Sequence, residues 1–133
     1  MTLYVITGPP CGGKSTYVRE RARPGDFVVD LDRLALAITS EDTPHHEYPA
    51  HIRSAAIIIR KQAVAIALVM SRGSDAYVIH AKPGAAARAT YKRHRAVFVE
   101  QSAPLEVLLK RARAERPEWV VPMIREWFTE PDS

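Results

Sequence analysis

Apolar and polar positions change period several times along the chain, and each change marks an element. Residues 3–7, LYVIT, form a β-rich apolar run that stops at Gly8, the pattern of a buried strand. Residues 14–23 read as a helix closed by Pro24-Gly25. A second buried strand follows at 27–31, FVVDL, and a short helix at 33–38. The stretch 40–50, SEDTPHHEYPA, is polar and holds two prolines, so it reads as a loop. Over 51–72, Ile52, Ala56, Ile59, Ala63, Ile66 and Met70 recur at three- and four-residue steps. Ile57, Ile58, Val64 and Leu68 widen that face, so the helix is expected to be well buried, with Gly73 at its C-terminal cap. Strands at 77–81 (YVIHA) and 96–100 (AVFVE) enclose a helix at 83–93, with Pro83 in its first turn. A helix over 105–116 shows Leu105, Leu108, Leu109 and Ala112 on one face and ends at Pro117. A last short helix spans 119–128, with Pro122 in its first turn, before a frayed tail, TEPDS.

Strands alternating with helices predict an α/β domain in three layers. A short, mainly parallel sheet of about four strands is flanked by helices. In such a sheet, chemistry gathers beyond the carboxyl ends of the strands. At 133 residues the chain has the size of a single domain, residues 1–133. Its 47% hydrophobic and 26% charged content is ordinary for a globular protein. One cysteine excludes an internal disulfide, which fits a reducing compartment. The start, MTLYVITG, lacks the basic and small-residue features of a signal peptide, and no apolar run is long enough to span a bilayer. The expectation is a cytoplasmic protein without membrane contact.

The segment after the first strand changes the picture. Gly8-Pro9-Pro10-Cys11-Gly12-Gly13-Lys14-Ser15 fits G-x-x-x-x-G-K-[ST] at every fixed position, between a strand and a helix. Glycines let successive N–H groups turn toward phosphate oxygens, and the helix N-terminus adds its dipole. The nucleotide-binding candidates are therefore Gly8, Cys11, Gly12, Gly13, Lys14, Ser15 and Thr16. Lys14 is expected at the β- and γ-phosphates of ATP or GTP, and the Ser15 hydroxyl on Mg²⁺. Cys11 reads as a small residue that fits the turn.

The second strand ends Val28-Val29-Asp30-Leu31-Asp32. Strand alternation puts Asp30 and Asp32 on one side, toward the phosphates. One carboxylate can hold Mg²⁺ through water, and the other can accept a proton from an attacking hydroxyl. The competing reading makes Asp32 an N-cap for the helix that follows. The third strand carries no carboxylate, which counts against a hydrolysis motor. His80 reads first as a core histidine with a hydrogen-bond partner and second as a residue facing the site. His45, His46, Glu47 and His51 lack any recognised zinc spacing.

Net charge is +4, but residues 82–116 hold nine Lys/Arg against three Asp/Glu. This stretch is read as a candidate contact for nucleic acid, or as a solvated face plus arginines for the nucleotide. Within it, Lys110-Arg111-Ala112-Arg113-Ala114-Glu115-Arg116 can supply positive charge over a moving phosphate.

The loop at the N-terminus, the D-x-D strand end and the arginine-rich helix together resemble the small P-loop kinases. The kinase domain of phage polynucleotide kinases is the nearest likeness, through GPPCGGKSTYVRE and the later run of Lys and Arg. VVDLDRLALAI and RARAERPEW also resemble small proteins of actinobacterial phages labelled P-loop or AAA-type ATPases. The resemblance implies Asp32 as general base, Asp30 as the magnesium-side acid, and Arg113 and Arg116 as lid residues. Catalysis would then rest on Asp32, Lys14, Arg113 and Arg116. The chain departs from the family at the third strand, where phage polynucleotide kinases carry an aspartate. The function implied is transfer of a γ-phosphate to a hydroxyl on a nucleotide, polynucleotide or modified DNA base. The alternatives are a small-molecule kinase and a nucleotide-dependent switch.

Overall fold

The computed structural model describes residues 2–44, 47–70, 73–116 and 118–128. His45, His46, Pro117, the end of the helix expected over 51–72 and the tail lie outside the described residues. The elements run β1 (Leu3–Thr7), α1 (Lys14–Arg21), β2 (Phe27–Val29), α2 (Leu31–Ala37), α3 (Ala50–Met70), β3 (Ala76–Ile79), α4 (Ala85–Arg93), β4 (Val97–Glu100), α5 (Leu105–Glu115) and α6 (Val120–Trp127). The four strands form one all-parallel sheet in the order β2-β3-β1-β4. The expected α/β class and the strand–helix alternation are both present.

Alternation along each strand sorts the core into two faces. Leu3, Val5, Val29, Ala76 and Val78 point to one side and pack with residues of α2, α3 and α4. Ile6, Tyr77 and Ile79 point to the other and meet Val18 and Tyr17 of α1 and its C-cap, Ala22. The chain leaves β1 over one face toward β2, and leaves β3 over the opposite face toward β4. The connections diverge at the carboxyl ends of β1 and β3, which is where a ligand crevice opens in such sheets. The ladder continues into the loops there: His80 N–H donates to Ile6 O at 3.0 Å and Gly8 N–H to Ala81 O at 3.0 Å. A third apolar cluster lies apart from the sheet, where Leu108, Leu109 and Ala112 of α5 meet Val120 and Ile124 of α6.

Two expectations need correction. Strand β2 stops at Val29, so Asp30 and Asp32 do not alternate along a strand. Asp30 is the N-cap of α2, its Oδ1 accepting the Asp32 N–H at 3.1 Å, and Asp32 sits in the first helical turn. The cap is therefore Asp30 and not Asp32, because α2 begins at Leu31 and not at Arg33. Helix α3 is also less buried than its composition implied. Ala56 and Ala67 are buried, but Ile58 is 67% and Val69 68% exposed, with Ile57 and Ile66 also exposed. A sheet of four short strands and the neighbouring α2 cover one stripe of this helix, and its apolar residues extend beyond that stripe.

Candidate functional site

The loop between β1 and α1 is held by close packing on the end of β4. A Cβ on Gly12 would lie 2.4 Å from Gln101 O, and one on Gly8 1.9 Å from it. Gln101 is fixed in turn, its N–H donating to Thr7 O at 2.8 Å. Gly13, the N-cap of α1, adopts φ 95, the left-handed region that glycine enters without strain. The first helical bond runs from Tyr17 N–H to Gly13 O at 2.9 Å. The N–H groups of Lys14, Ser15 and Thr16 therefore precede the helical ladder and lie at the dipole's positive end. Cys11 is more than a small turn residue. It holds φ 63 and packs against the α5–α6 cluster.

Lys14 Nζ donates to Gly8 O at 2.9 Å and Pro9 O at 2.7 Å, so its ammonium curls over the loop it follows. Burial lowers its pKa to about 8, with Arg116 adding to the drop and Cys11, Asp30 and Asp32 opposing it. An anion in the cleft would supply the counter-charge that burial denies it.

Asp30, Asp32, Lys14, Ser15 and Thr16 all line one cleft of about 1440 Å³ beyond the carboxyl ends of the strands. Asp30 is buried, whereas the Ser15 and Thr16 side chains are exposed. Thr16 Oγ1 accepts from the Arg19 guanidinium at 3.2 Å. Asp32 Oδ1 accepts a hydrogen bond from the Tyr48 hydroxyl. Burial, then that bond, raises the Tyr48 pKa, so the phenol remains a donor and holds the carboxylate in orientation. Nothing in the sequence singled out Tyr48, because its partner lies 16 residues away across a proline-bounded loop.

The arginines divide differently from the sequence expectation. Arg116 lines the cleft as expected, but Arg113 is exposed and outside it, and Arg111 takes the place facing the loop. Arg111 donates to Cys11 O at 3.0 Å. Both Arg111 and Arg113 flank the buried stripe of α5, on opposite sides. Only the side on which the loop packs decides which one faces it. Across the cleft, Arg53 and Arg60 stand seven residues apart on one face of α3, joined by Arg33 of α2. His80 satisfies both of its readings. Its Nδ1 lies 2.8 Å from the Tyr91 hydroxyl, and its ring also lines the cleft. Burial, then Arg60 and Arg88, lower its pKa to about 4, so it is neutral at physiological pH.

No known protein-family model matches the chain, and no curated protein matches it at a significant level. The site is therefore read on its own geometry. For Mg²⁺ the cleft offers hard oxygen donors, the Ser15 hydroxyl and the Asp30 and Asp32 carboxylates. Among the described residues no group of three or more His, Cys, Asp or Glu can hold a metal unaided. The ion fits this donor set as a partner of phosphate oxygens. The basic residues of 82–116 do not share one surface. Lys82, Arg111 and Arg116 line the cleft, while Lys92 and Arg93 end α4 just before β4 begins, toward the amino end of the strands and outside the cleft lining. Arg88 is engaged locally, its Nε donating to Pro83 O at 3.1 Å and its guanidinium lying 5.7 Å from the Phe98 ring centroid. Among the described residues no helix is long and apolar enough to cross a membrane.

Proposed function

We propose that this chain is a phosphotransferase that moves the γ-phosphate of ATP or GTP to a hydroxyl on a phosphate-bearing acceptor, a nucleotide or polynucleotide. The observation that carries the reading is one cleft shared by the Lys14 loop and the oriented Asp32 carboxylate, with arginines on both flanks. The resemblance to small P-loop kinases points the same way. A switch has no use for a carboxylate set by a tyrosine beside the phosphates. A neutral metabolite has no use for Arg33, Arg53 and Arg60 on the Asp32 side.

In this reading the loop N–H groups and Lys14 grip the β- and γ-phosphates. Ser15 and Asp30 would hold Mg²⁺, which would supply charge neutralisation when bound. Asp32 takes the proton of the acceptor hydroxyl as its oxygen bonds to the γ-phosphorus. The bond from that phosphorus to the β,γ-bridging oxygen breaks, and nucleoside diphosphate leaves with the electron pair. Lys14, Arg111 and Arg116 carry positive charge over the transferring group. The test uses γ-labelled ATP with hydroxyl-ended oligonucleotides, nucleosides, modified DNA and neutral metabolites. Label on a phosphate-bearing acceptor, abolished by Lys14→Ala, is the expected result. Label found only in inorganic phosphate refutes transfer, and label on neutral metabolites refutes the acceptor class.

A further inference from the structure

Helix α6 carries two apolar stripes. Val120 and Ile124 are buried against Leu108, Leu109 and Ala112 of α5. Trp119, Met123 and Trp127 form the second stripe at four-residue steps, beside the first. Packing on α5 accounts only for the first. Trp119 is 49% and Met123 39% exposed, yet both line the cleft that holds the Lys14 loop. At the far end of the stripe, Lys82 Nζ lies 5.2 Å from the Trp127 ring centroid. The stripe thus runs along the cleft and ends at the residues that follow β3. Two contacts set its placement against the loop: Cys11 packs on the α5–α6 cluster, and Arg111 donates to the Cys11 carbonyl.

The cleft joins lysine, arginine and carboxylate to apolar side chains, and Trp119 and Met123 are the large, part-exposed apolar groups that α6 and its N-cap bring to it. The ligand that matches both parts carries phosphates and a flat apolar ring in one molecule. Trp119 and Met123 are one helical turn apart, about 6 Å along the axis, so together they floor an area the size of a fused ring. We infer that Trp119 and Met123 form a nucleobase platform, on which a base stacks against the indole while its phosphates reach the basic side of the cleft. Indole faces stack on every base, so the platform selects for a base without dictating which one.

The inference rests on the phosphate-loop reading, and two sources supply the same chemistry: the base of the donor nucleotide and a base of the acceptor. The experiment uses the full chain carrying Trp127→Phe, which leaves Trp119 as the sole tryptophan. Its fluorescence is followed as ATP, inorganic tripolyphosphate or a short single-stranded oligonucleotide is added. Binding of each is measured by calorimetry for this protein and for Trp119→Ala and Trp119→Phe made in it. Tripolyphosphate keeps the phosphates and lacks the base, so it reports on the loop alone.

The expected result is quenching by a base-bearing ligand and none by tripolyphosphate. Affinity for that ligand should fall about 5- to 150-fold in Trp119→Ala, be largely restored in Trp119→Phe, and leave tripolyphosphate binding unchanged. An effect on ATP assigns the platform to the donor base, and an effect on the oligonucleotide alone assigns it to the acceptor base. Tripolyphosphate binding intact with no change for either base-bearing ligand in Trp119→Ala overturns the platform and leaves the loop reading standing. Equal losses for tripolyphosphate and ATP in Trp119→Ala overturn it as well, since the effect is then on the fold. Failure of the parent protein to bind tripolyphosphate or ATP overturns the phosphate-loop reading itself.

Discussion

Gly12→Ala isolates the packing of the phosphate loop on the end of β4. The added Cβ would meet Gln101 O at 2.4 Å, where ordinary contact begins at 3.4 Å, and Pro9 O at 3.0 Å. Both neighbours are backbone, and Gln101 is tied to β1 by its bond to Thr7 O, so neither can rotate away as a side chain would. The loop must lift from the strand end by roughly 1 Å, a distance at which misplaced site groups lose about 100-fold in effectiveness. Overpacking of this kind costs about 1–3 kcal/mol in stability. Gly25→Ala is the control for lost stability without a clash. Unlike Gly12, Gly25 has positive φ, at 93, and its Cβ would enter open space, so left-handed strain of about 1–2 kcal/mol applies there instead of overpacking. Urea unfolding and nucleotide calorimetry on both variants should show comparable losses of stability, with the loss of ATP affinity confined to Gly12→Ala. Wild-type ATP affinity in a folded Gly12→Ala protein would refute the claim that this contact sets the geometry of the phosphate site.

Three further outcomes follow from the cleft. Asp32→Asn keeps an acceptor for the Tyr48 hydroxyl but cannot take a proton, so phosphoryl transfer should fall about 10²- to 10⁴-fold with nucleotide affinity unchanged; a drop in affinity instead would make Asp32 a binding group. Arg111→Gln should slow single-turnover transfer while Arg113→Gln leaves it at the wild-type rate, because Arg111 meets the loop and Arg113 stands outside the cleft; the reverse order would restore the lid pairing that the sequence suggested. His80 has a folded pKa of about 4 against 6.5 unfolded. The unfolded chain therefore binds the proton first as pH falls, and stability contributed by neutral His80 is lost between pH 6.5 and 4. A single proton limits the slope to about 1.4 kcal/mol per pH unit, and partial solvation of the ring keeps it below that limit. His80→Asn should flatten urea-derived stability over that window, and an unchanged slope would show that other groups cause it.

The order of elements and the phosphate loop were legible in the sequence because both are local. A five-residue, mainly apolar strand, two glycines and a lysine at fixed spacing need no distant partner to be read. The misreadings came where a distant partner decides. Asp30 and Asp32 look like one edge of a strand until the chain turns into α2 two residues early and Asp30 caps it. Arg111 and Arg113 flank the same helical stripe, and only contact with Cys11, 100 residues away in sequence, tells them apart. The apolar width of α3 reads as burial, but a sheet with so few strands covers less of a helix than the helix offers. The sequence alone assigns Trp119 and Met123 no role, since periodicity reports which residues share a face and not what lies opposite.

The position of β1 in the sheet has a consequence for how the site opens. It is paired on both sides, to β3 and to β4, so its amides should exchange with solvent only when the whole domain unfolds. The α5–α6 pair clusters on itself and reaches the loop through Cys11 and Arg111. Such a unit can detach at a fraction of the global unfolding free energy. Amide exchange in α5 and α6 should then run ahead of that in β1. The grip on phosphate would stay formed while the wall carrying Arg111, Arg116 and the two tryptophans comes and goes, which gives ligand a way in without dismantling the loop that receives it.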